Sequence, residues 1–181
     1  MLQYQLYTAS NPIGDARFDA FFALLADALP TDEHRSHAAQ KALLDEPAYA
    51  ILTGEEGGTI RAIMAVWEFA GFRYVEHFAV DPALRGHGVG AAMLGEYLRR
   101  DERRVVLEVE PPEMAIAARR IGFYERCGLS LSRFPYAQPP LNPGDGMLPL
   151  MLMSSGGTLT DAEAAAVRDT LYREVYHWPV G

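Results

Sequence analysis

The sequence predicts a mixed α/β protein in one domain, because helix-like and strand-like segments follow one another along its 181 residues. Short glycine-rich turns join some of the strand-like segments, whereas helix-like segments join others. Strands joined by short turns are expected to pair antiparallel, and strands joined through helices are expected to pair parallel. Hydrophobic residues make up 49% and charged residues 22% of the chain, a composition typical of a globular domain with a sizeable core.

Hydrophobic spacing and turn residues predict the elements of the first half of the chain. Thr31 or Asp32 is expected to cap the second helix, and the glycine-rich segment 54–58 is expected to form a hairpin turn. The predicted elements are a strand at 3–8, helices at 18–29 and 31–45, and strands at 49–53, 59–69 and 73–80.

The sequence of the second half of the chain predicts alternating helices and strands, with a last helix beyond the final strand. Gly128 is expected to end one helix, and Thr160 with Glu163 forms a capping box that begins the last one. Pro149 inside a strand-like run indicates an edge or a bulge, and the proline-rich segment 135–146 reads as a connection. The predicted elements are helices at 89–100, 113–127 and 160–176 and strands at 104–110, 129–134 and 147–153.

The charge, the cysteine count and the N-terminus exclude several classes of protein. A net charge of −8 argues against nucleic-acid binding and favours a cationic or neutral substrate. Cys127 is the only cysteine, so no intrachain disulfide is expected, and it reads as a small packed side chain rather than a nucleophile. The N-terminus does not resemble a signal peptide, and no apolar run is long enough for a membrane span. We therefore expect a cytoplasmic protein with no membrane partner, and the histidine spacing predicts no metal site.

The segment VDPALRGHGVGAAML, residues 80–94, places three glycines between a predicted strand and a predicted helix. Gly86, Gly88 and Gly90 leave the backbone open to a ligand. The first amides of the helix have no partner within the helix, and the helix dipole adds partial positive charge there. The segment therefore predicts a diphosphate site, to which Arg85 adds charge and His87 either donates a hydrogen bond or faces solvent.

Other phosphate-binding motifs compete with this interpretation. A P-loop is absent, because no Lys-Ser or Lys-Thr pair follows the glycines. Residues 86–91 match the dinucleotide pattern G-x-G-x-x-G/A, and Glu108 lies at about the expected distance of 20 residues along the chain. That match would predict a nicotinamide-dependent oxidoreductase. Against it, the dinucleotide pattern belongs after the first strand of its unit, whereas here an antiparallel hairpin precedes it.

Arg85-Gly86-His87-Gly88-Val89-Gly90 resembles the Arg/Gln-x-x-Gly-x-Gly/Ala motif of the GNAT superfamily of acyl-CoA-dependent N-acyltransferases. A second block, RRIGFYERCGLSL at 119–131, is similar to a later helix of that family, and the element order also fits. The resemblance implies a mostly antiparallel central sheet of about seven strands with a splayed parallel pair, flanked by helices. It implies a single domain over 1–181, with a core at about 3–153 and a C-terminal helical extension at about 160–177.

The same resemblance implies that acetyl-CoA is the co-substrate. Its pantetheine arm would lie between two diverging parallel strands, and a main-chain N–H would polarise the thioester carbonyl. Its diphosphate would bind the glycine-rich segment. The implied coenzyme contacts are Phe78, Ala79, Val80, Arg85, Gly86, His87, Gly88, Val89, Gly90 and Ala91.

The resemblance also implies a direct transfer of the acetyl group to a primary amine in a ternary complex. Tyr124 matches the family tyrosine that often protonates the departing thiolate. Glu76 is the first candidate for the base, because it lies two residues before Phe78 and is expected to share its face of the strand. Glu108 is the next candidate, and Glu110 lies on the same strand.

Other residues complete these expectations. Ala117 stands where many family members carry an asparagine, which leaves open a coenzyme-binding protein that has lost its chemistry. Arg119 and Arg120 either reach coenzyme phosphates or form a solvated helix face. The residues nominated as acceptor contacts are Tyr136, Gln138 and those near Asp32. The acceptor itself, a small molecule or a protein amine, is not predicted. The protein is expected to be a monomer or a homodimer, with the last helix covering an open face or pairing with a second subunit.

Overall fold

The computed structural model describes residues 1–180, which form two compact units divided after Arg103. The first unit contains β1 (Gln3–Tyr7), α1 (Asp15–Ala28), α2 (His37–Ala42), β2 (Tyr49–Glu56), β3 (Thr59–Glu68), β4 (Phe72–Val80) and α3 (Val89–Leu98). The second contains β5 (Arg104–Val109), α4 (Ala115–Arg126), β6 (Leu129–Leu131), β7 (Tyr136–Gln138), β8 (Leu148–Ser155) and α5 (Asp161–Thr170). The predicted mixed α/β class, with a helix beyond the last strand, is confirmed. Within residues 1–180 no helix is both long and apolar enough to cross a membrane.

The first unit is an antiparallel meander in which β1, β2, β3 and β4 pair in chain order. The predicted hairpin turn lies at Gly57 and Gly58, whose φ angles of 59° and 80° suit the two-residue turn between β2 and β3. Helices α1 and α3 pack against β3 and β4. The interior between these layers is aromatic and aliphatic, and its fully buried side chains include Phe18, Phe21, Leu25, Ile51, Ile63 and Met64.

Strand β4 carries a β-bulge at Glu76. Ala65 pairs with His77 and Val66 pairs with Val75, so Glu76 has no partner residue in β3. The side chains of Glu76 and His77 are both buried, whereas Phe78 is partly exposed. The expectation that Glu76 and Phe78 share a face is therefore wrong, because an extra residue interrupts the alternation and re-aims the side chains beside it.

The single helix predicted over 31–45 is also wrong. The structure has a 3-10 turn at 31–33, the short helix α2, and a second 3-10 turn at 43–45. Ser36, rather than Thr31 or Asp32, caps α2, and its Oγ accepts a hydrogen bond from the Ala39 amide at 3.2 Å. The extended segment before Ser36 carries the Arg35 side chain to Glu76, a tertiary contact that helix propensity cannot anticipate.

Arg73, at the beginning of β4, anchors the far end of α3. Its guanidinium is almost fully buried and lies 4.7 Å from the centre of the Tyr97 ring. It donates hydrogen bonds to the carbonyl oxygens of Tyr97, Leu98, Asp101 and Arg103. The last carbonyls of a helix have no partner within it, so this one side chain satisfies groups that would otherwise need water.

The second unit is built on β8, which pairs antiparallel with β5, β6 and β7. The connection predicted over 135–146 contains a short strand that was not predicted, because Tyr136–Gln138 forms β7. Pro149 pairs with Ala137 and lies outside Met151–Ser154, the part of β8 that pairs with β5. The edge position predicted for this proline is therefore confirmed.

The last helix begins as predicted and ends differently. The capping box is present, because the Glu163 amide donates to Thr160 Oγ1 at 3.2 Å and the Thr160 amide donates to Glu163 Oε2 at 2.8 Å. Regular α-helix stops at Thr170 rather than Tyr176. A π-helical turn follows over Leu171–Val175, and this turn replaces the predicted final helical turn.

Candidate active site

The glycine-rich segment leaves β4 through a turn held by Asp81. The Asp81 carboxylate accepts hydrogen bonds from the Ala83 amide at 2.9 Å and from Arg61 Nη1 at 2.7 Å. The Asp81 amide also donates to the Arg61 carbonyl at 2.8 Å. Arg61 belongs to β3, so the beginning of the glycine-rich segment is fixed to the neighbouring strand.

Gly86 and Gly88 give this segment an open backbone at the start of α3. Their φ angles are 79° and 78°, a left-handed conformation that glycine adopts at low cost. No atom lies within 4 Å of the position that a Cβ would occupy on either residue. Gly88 is the N-cap of α3 and contributes no side-chain hydrogen bond to the first amides of the helix. An anion can therefore reach the uncapped amides of residues 89–91.

Arg85 and His87 both lie in the exposed part of the segment. Arg85 Nε donates to the Val80 carbonyl at 3.3 Å, and His87 Nδ1 lies 3.0 Å from the Arg85 carbonyl oxygen. Val89 and Gly90 are partly exposed, and Ala91 is exposed. The predicted diphosphate contacts thus form one continuous surface segment at the N-terminus of α3.

The predicted pantetheine contacts Phe78, Ala79 and Val80 form the C-terminal end of β4. Ala79 is buried and pairs with Ile63 of β3. Phe78 and Val80 are partly exposed. The part played by these residues in coenzyme binding stays a prediction.

Glu76, the first candidate for the base, is enclosed in the first unit. Its side chain is fully buried, Arg35 Nη1 lies 2.5 Å from Oε1, and Trp67 Nε1 donates to Oε2 at 3.1 Å. Burial raises the pKa of Glu76, but the Arg35 charge, the His77 ring and the Trp67 hydrogen bond bring the pKa below its usual value. A carboxylate with a lowered pKa and an arginine partner is a weak proton acceptor, so this environment favours a structural part for Glu76.

His77, beside Glu76 in the bulge, is also buried. Desolvation lowers the pKa of its imidazole to about 4, although the Glu76 charge acts in the opposite direction. Its Nε2 atom is buried and has no hydrogen-bond partner among residues 1–180. The ring is therefore neutral at physiological pH.

Tyr124, the candidate acid, lies on the buried face of α4 with Ala117 and Ile121. Its ring meets the Phe123 ring nearly edge-on, with centroids 5.2 Å apart. Burial raises the pKa of Tyr124 to about 12, against the opposing charge of Arg120. The phenol is therefore protonated at neutral pH, as an acid requires.

Neighbouring parts of α4 follow the sequence-based expectations. Arg119 and Arg120 are exposed, consistent with either a solvated helix face or a phosphate contact. Gly128, with a φ of 93°, directly follows the Cys127 C-cap of α4, as predicted for the glycine that ends this helix.

Glu108 of β5 stands at the centre of a polar cluster in the second unit, which we call the Glu108 cluster and which comprises Glu108, Tyr136, Gln138 and Tyr176. The Tyr136 hydroxyl donates to Oε1, and Gln138 Nε2 donates to Oε2 at 2.6 Å. The Tyr176 hydroxyl lies 3.0 Å from each carboxylate oxygen. Burial and then the Glu108 charge raise the pKa of Tyr136 above its usual value, so this phenol stays a donor.

The sequence nominated three members of this cluster for separate reasons. Glu108 was a candidate base, and Tyr136 and Gln138 were candidate acceptor contacts, whereas Tyr176 was not singled out. A continuous helix to Tyr176 was predicted, and no pattern in the sequence indicates that its hydroxyl reaches a strand 68 residues earlier. The cluster therefore joins residues whose proximity only the fold establishes.

The sequence of the chain matches a protein-family model. The family model described as "Acetyltransferase (GNAT) family" matches residues 17–129, more than half of the chain. The chain belongs to the GNAT acetyltransferase family. The resemblance seen in the sequence is thereby confirmed.

Individual relatives agree with this family. The chain is 30% identical over 108 residues to YjbC of Bacillus subtilis (strain 168), whose name assigns it to the acetyltransferases; the match covers 59% of this chain and 54% of YjbC. The chain thus spans about half the length of that curated relative. A solved structure of a GNAT-family protein from Bacteroides thetaiotaomicron is 32% identical, covers 98% of this chain and 99% of its own, and has a TM-score of 0.87.

A more distant structure shares the fold alone. A GNAT family acetyltransferase from Elizabethkingia anophelis, solved with acetyl-CoA bound, is 13% identical to this chain with a TM-score of 0.57. The match covers 85% of this chain and 97% of that one.

The dinucleotide interpretation of residues 86–91 is wrong for this GNAT protein. The segment follows β4, whose paired neighbour β3 runs antiparallel to it. A dinucleotide-binding domain carries these glycines after its own first strand, whereas the antiparallel strands β1, β2 and β3 precede β4 here, and the family model that matches residues 17–129 includes the segment.

Proposed function

We propose that the protein transfers an acetyl group from acetyl-CoA to a primary amine by direct transfer in a ternary complex. The observation that carries the proposal is the open backbone at Gly86 and Gly88, at the N-terminus of α3, in a chain of the GNAT family. The acetyl-CoA bound to the Elizabethkingia relative supports acetyl-CoA as the co-substrate. Cytoplasmic location and a monomeric or homodimeric state stay predictions.

In this proposal the glycine-rich segment binds the coenzyme diphosphate. The amides of residues 86–91 donate to phosphate oxygens, and the positive end of the α3 dipole lowers the energy of the bound anion. The exposed Arg85 side chain adds a positive charge, and it either turns toward the ligand or stays solvated. The main chain of Phe78, Ala79 and Val80 bonds the pantetheine arm, and an N–H of this strand polarises the thioester carbonyl.

The chemical step forms a C–N bond and breaks a C–S bond. The neutral amine attacks the thioester carbonyl, and collapse of the tetrahedral intermediate expels the thiolate of coenzyme A. Tyr124 donates its phenolic proton to that thiolate, and the amine nitrogen loses a proton to a base. Burial keeps Tyr124 protonated at neutral pH, so the phenol has a proton to donate when the thiolate forms.

We assign the base to Glu108 rather than Glu76. Glu76 is held by Arg35 in the interior of the first unit, and its lowered pKa weakens it as a proton acceptor. Glu108 is half-buried, and it accepts hydrogen bonds from the side chains of Tyr136, Gln138 and Tyr176. These donors fix the orientation of the carboxylate, which a general base requires.

Calorimetry and a thiol assay test the function. Acetyl-CoA is titrated into the protein, and free thiol release is then measured with a panel containing tyramine, spermidine, lysine and a peptide with a free N-terminus. Saturable binding with thiol release from at least one amine is expected. Binding without release from any amine would indicate a coenzyme sensor, and absence of binding would remove the diphosphate assignment.

A further inference from the structure

The π-helical turn after α5 brings a tyrosine from the C-terminal extension to Glu108. We propose that Tyr176 is a positioning residue, which holds the Glu108 carboxylate in the orientation that accepts the proton of the amine. The inference rests on the proposed acetyl transfer. It extends the active site to a segment beyond residues 17–129, the part of the chain that the family model matches.

The backbone around Tyr176 has an irregular conformation. The Tyr176 amide donates to the Leu171 carbonyl at 3.1 Å, five residues earlier, as in a π-helix. His177 follows with a φ of 49°, the only positive value at a non-glycine residue within 1–180. The Trp178 amide then donates to the Tyr172 carbonyl at 2.8 Å and closes the turn. A left-handed residue that is not glycine costs about 1–2 kcal/mol, so other contacts must hold the chain in this form.

Burial of Leu171 and Val175 supplies such contacts, and the two tyrosines of the turn add hydrogen bonds. The Tyr172 hydroxyl donates to the Ala137 carbonyl of β7 at 2.5 Å. The Tyr176 hydroxyl lies 3.0 Å from both oxygens of Glu108 and accepts from Gln138 Nε2, also at 3.0 Å. Tyr172 thus ties the turn to the main chain, and only Tyr176 reaches the carboxylate.

The position of Tyr176 depends on the π-helical geometry. An extra residue within a helical turn rotates every later side chain around the helix axis by about 100° relative to a continuous α-helix. Without the extra residue, Tyr176 would point to a different side of the helix. π-Helical turns are frequent at functional sites, and this one delivers the hydroxyl that contacts both oxygens of Glu108.

The arrangement has a kinetic consequence. A base transfers a proton efficiently only when its lone pair is aimed at the donor, and small misplacements of reacting groups lower rates strongly. Tyr136 and Gln138 each hold one oxygen of Glu108, and the Tyr176 hydroxyl bridges the two. Removing that hydroxyl takes away the one contact that reaches both oxygens and lets the carboxylate depart from its proton-accepting orientation, so the turnover number is expected to fall while coenzyme binding stays unchanged.

Tyr176→Phe tests the inference, with Tyr172→Phe as the matched control from the same turn. Steady-state kinetics use acetyl-CoA and the best amine of the panel, and thermal melting reports the stability of each variant. Tyr176→Phe is expected to lower kcat about tenfold with an unchanged KM for acetyl-CoA, and Tyr172→Phe is expected to keep kcat within about twofold. In a Glu108→Gln background, Tyr176→Phe is expected to cause no further loss, because Tyr176 acts through Glu108.

The outcomes separate this inference from the function on which it rests. If the wild-type protein releases thiol and Tyr176→Phe keeps an undiminished kcat, only the positioning role of Tyr176 is overturned. Equal losses in both tyrosine variants, or a further loss in the Glu108→Gln background, would reduce Tyr176 to a packing residue. Failure of the wild-type protein to release thiol with any amine would overturn the proposed acetyl transfer and, with it, the positioning role of Tyr176.

Discussion

At the scale of single residues, a comparison of Gly88 with Gly58 distinguishes a need for open space from a need for a left-handed backbone conformation. Gly58, in the hairpin between β2 and β3, has a φ of 80°, close to the 78° of Gly88. No atom lies within 4 Å of a Cβ built on either residue. Both positions therefore impose a similar conformational penalty on a substituted side chain, and only Gly88 lies at the proposed diphosphate site.

Gly88→Val is expected to weaken acetyl-CoA binding at least about 100-fold, because the branched side chain fills the space above the amides at the start of α3. Gly58→Val is expected to lose a similar amount of stability and to keep its affinity. Isothermal titration calorimetry and thermal melting of both variants make the comparison. Equal affinity in Gly88→Val and the wild-type protein would contradict the assignment of the segment.

Tyr124→Phe removes the proposed acid with little change in shape. We expect kcat to fall about 100-fold, because general acid catalysis typically contributes a factor of about 100 to 10,000, and the affinity for acetyl-CoA to change less than about threefold. Stopped-flow measurement of thiol release and calorimetry report the two quantities. Phe123→Leu, next to it on α4, is the control for altered packing, and an unaltered kcat in Tyr124→Phe would exclude the residue from the mechanism.

His77 makes the stability of the protein depend on pH. An unfolded chain protonates this imidazole near pH 6.5, whereas burial lowers the pKa in the folded protein to about 4. The unfolded state therefore binds more protons in this window, and stability falls as the pH drops from about 6.5 to 4, by up to about 3 kcal/mol. Urea unfolding at pH 7 and pH 4.5 is expected to show a smaller loss in His77→Gln than in the wild-type protein. Parallel losses would show that His77 contributes nothing to the acid sensitivity.

At the scale of elements, the bulge in β4 depends on a contact from the segment before α2. Arg35 comes from this segment and pairs with the bulge residue Glu76 inside the first unit. The Trp67 indole is a further donor to that carboxylate. A buried carboxylate without its cation is expensive, so the ion pair makes these two elements interdependent.

Arg35→Met is expected to lower the free energy of unfolding by about 3–5 kcal/mol, because it leaves the Glu76 charge buried without its partner. Combining it with Glu76→Gln is expected to restore part of the loss, since the neutral amide needs no cation. Chemical denaturation of the single and double variants measures the coupling between them. Strictly additive losses would mean that the pair contributes no specific interaction.

The elements also show what the sequence could and could not predict. Hydrophobic periodicity, the capping box at Thr160 and the glycines of the hairpin turn are local signals, and the structure confirms the elements that they predict. The break before α2, the bulge at Glu76 and the π-helical turn all depend on side chains that meet partners far away in sequence. β7 was missed because its three residues lie among prolines and are too few to display a period.

The candidate site also has one feature that the sequence could predict and one that it could not. The glycine-rich segment could be found because a left-handed, open backbone requires glycine, which is visible in the sequence. The choice of base could not be made, because the environments of Glu76 and Glu108 are created by partners 41 residues earlier and 28 to 68 residues later. A carboxylate in a strand has the same appearance in the sequence whether an arginine or a tyrosine surrounds it.

At the scale of the whole molecule, the net charge of −8 favours the approach of a cation over that of an anion. A primary amine is mostly protonated at pH 7, so the proposed acceptor approaches as a cation and gives up a proton only at the site. Salt screens the long-range part of this attraction, because the Debye length falls to about 10 Å at 0.1 M ionic strength.

We therefore expect kcat/KM for the cationic amine spermidine to fall several-fold between about 20 and 200 mM NaCl, at saturating acetyl-CoA. An aromatic amine that is neutral at pH 7 is expected to show little change over the same range. The thiol-release assay measures both series under identical conditions. The same salt dependence for the two amines would show that the charge of the amine does not affect its association with the protein.

The clamp that Arg73 places on the last carbonyls of α3 has a consequence for ligand recognition at the opposite end of that helix. Because the guanidinium fixes the carboxyl end of α3 to the beginning of β4, the helix is restrained from tilting or sliding when an anion arrives at its amino end. Adjustment to the ligand is then confined to the few residues around Gly86 and Gly88. For the proposed diphosphate site, this preorganisation is expected to reduce the ordering that association requires and to leave more of the contact energy available as affinity.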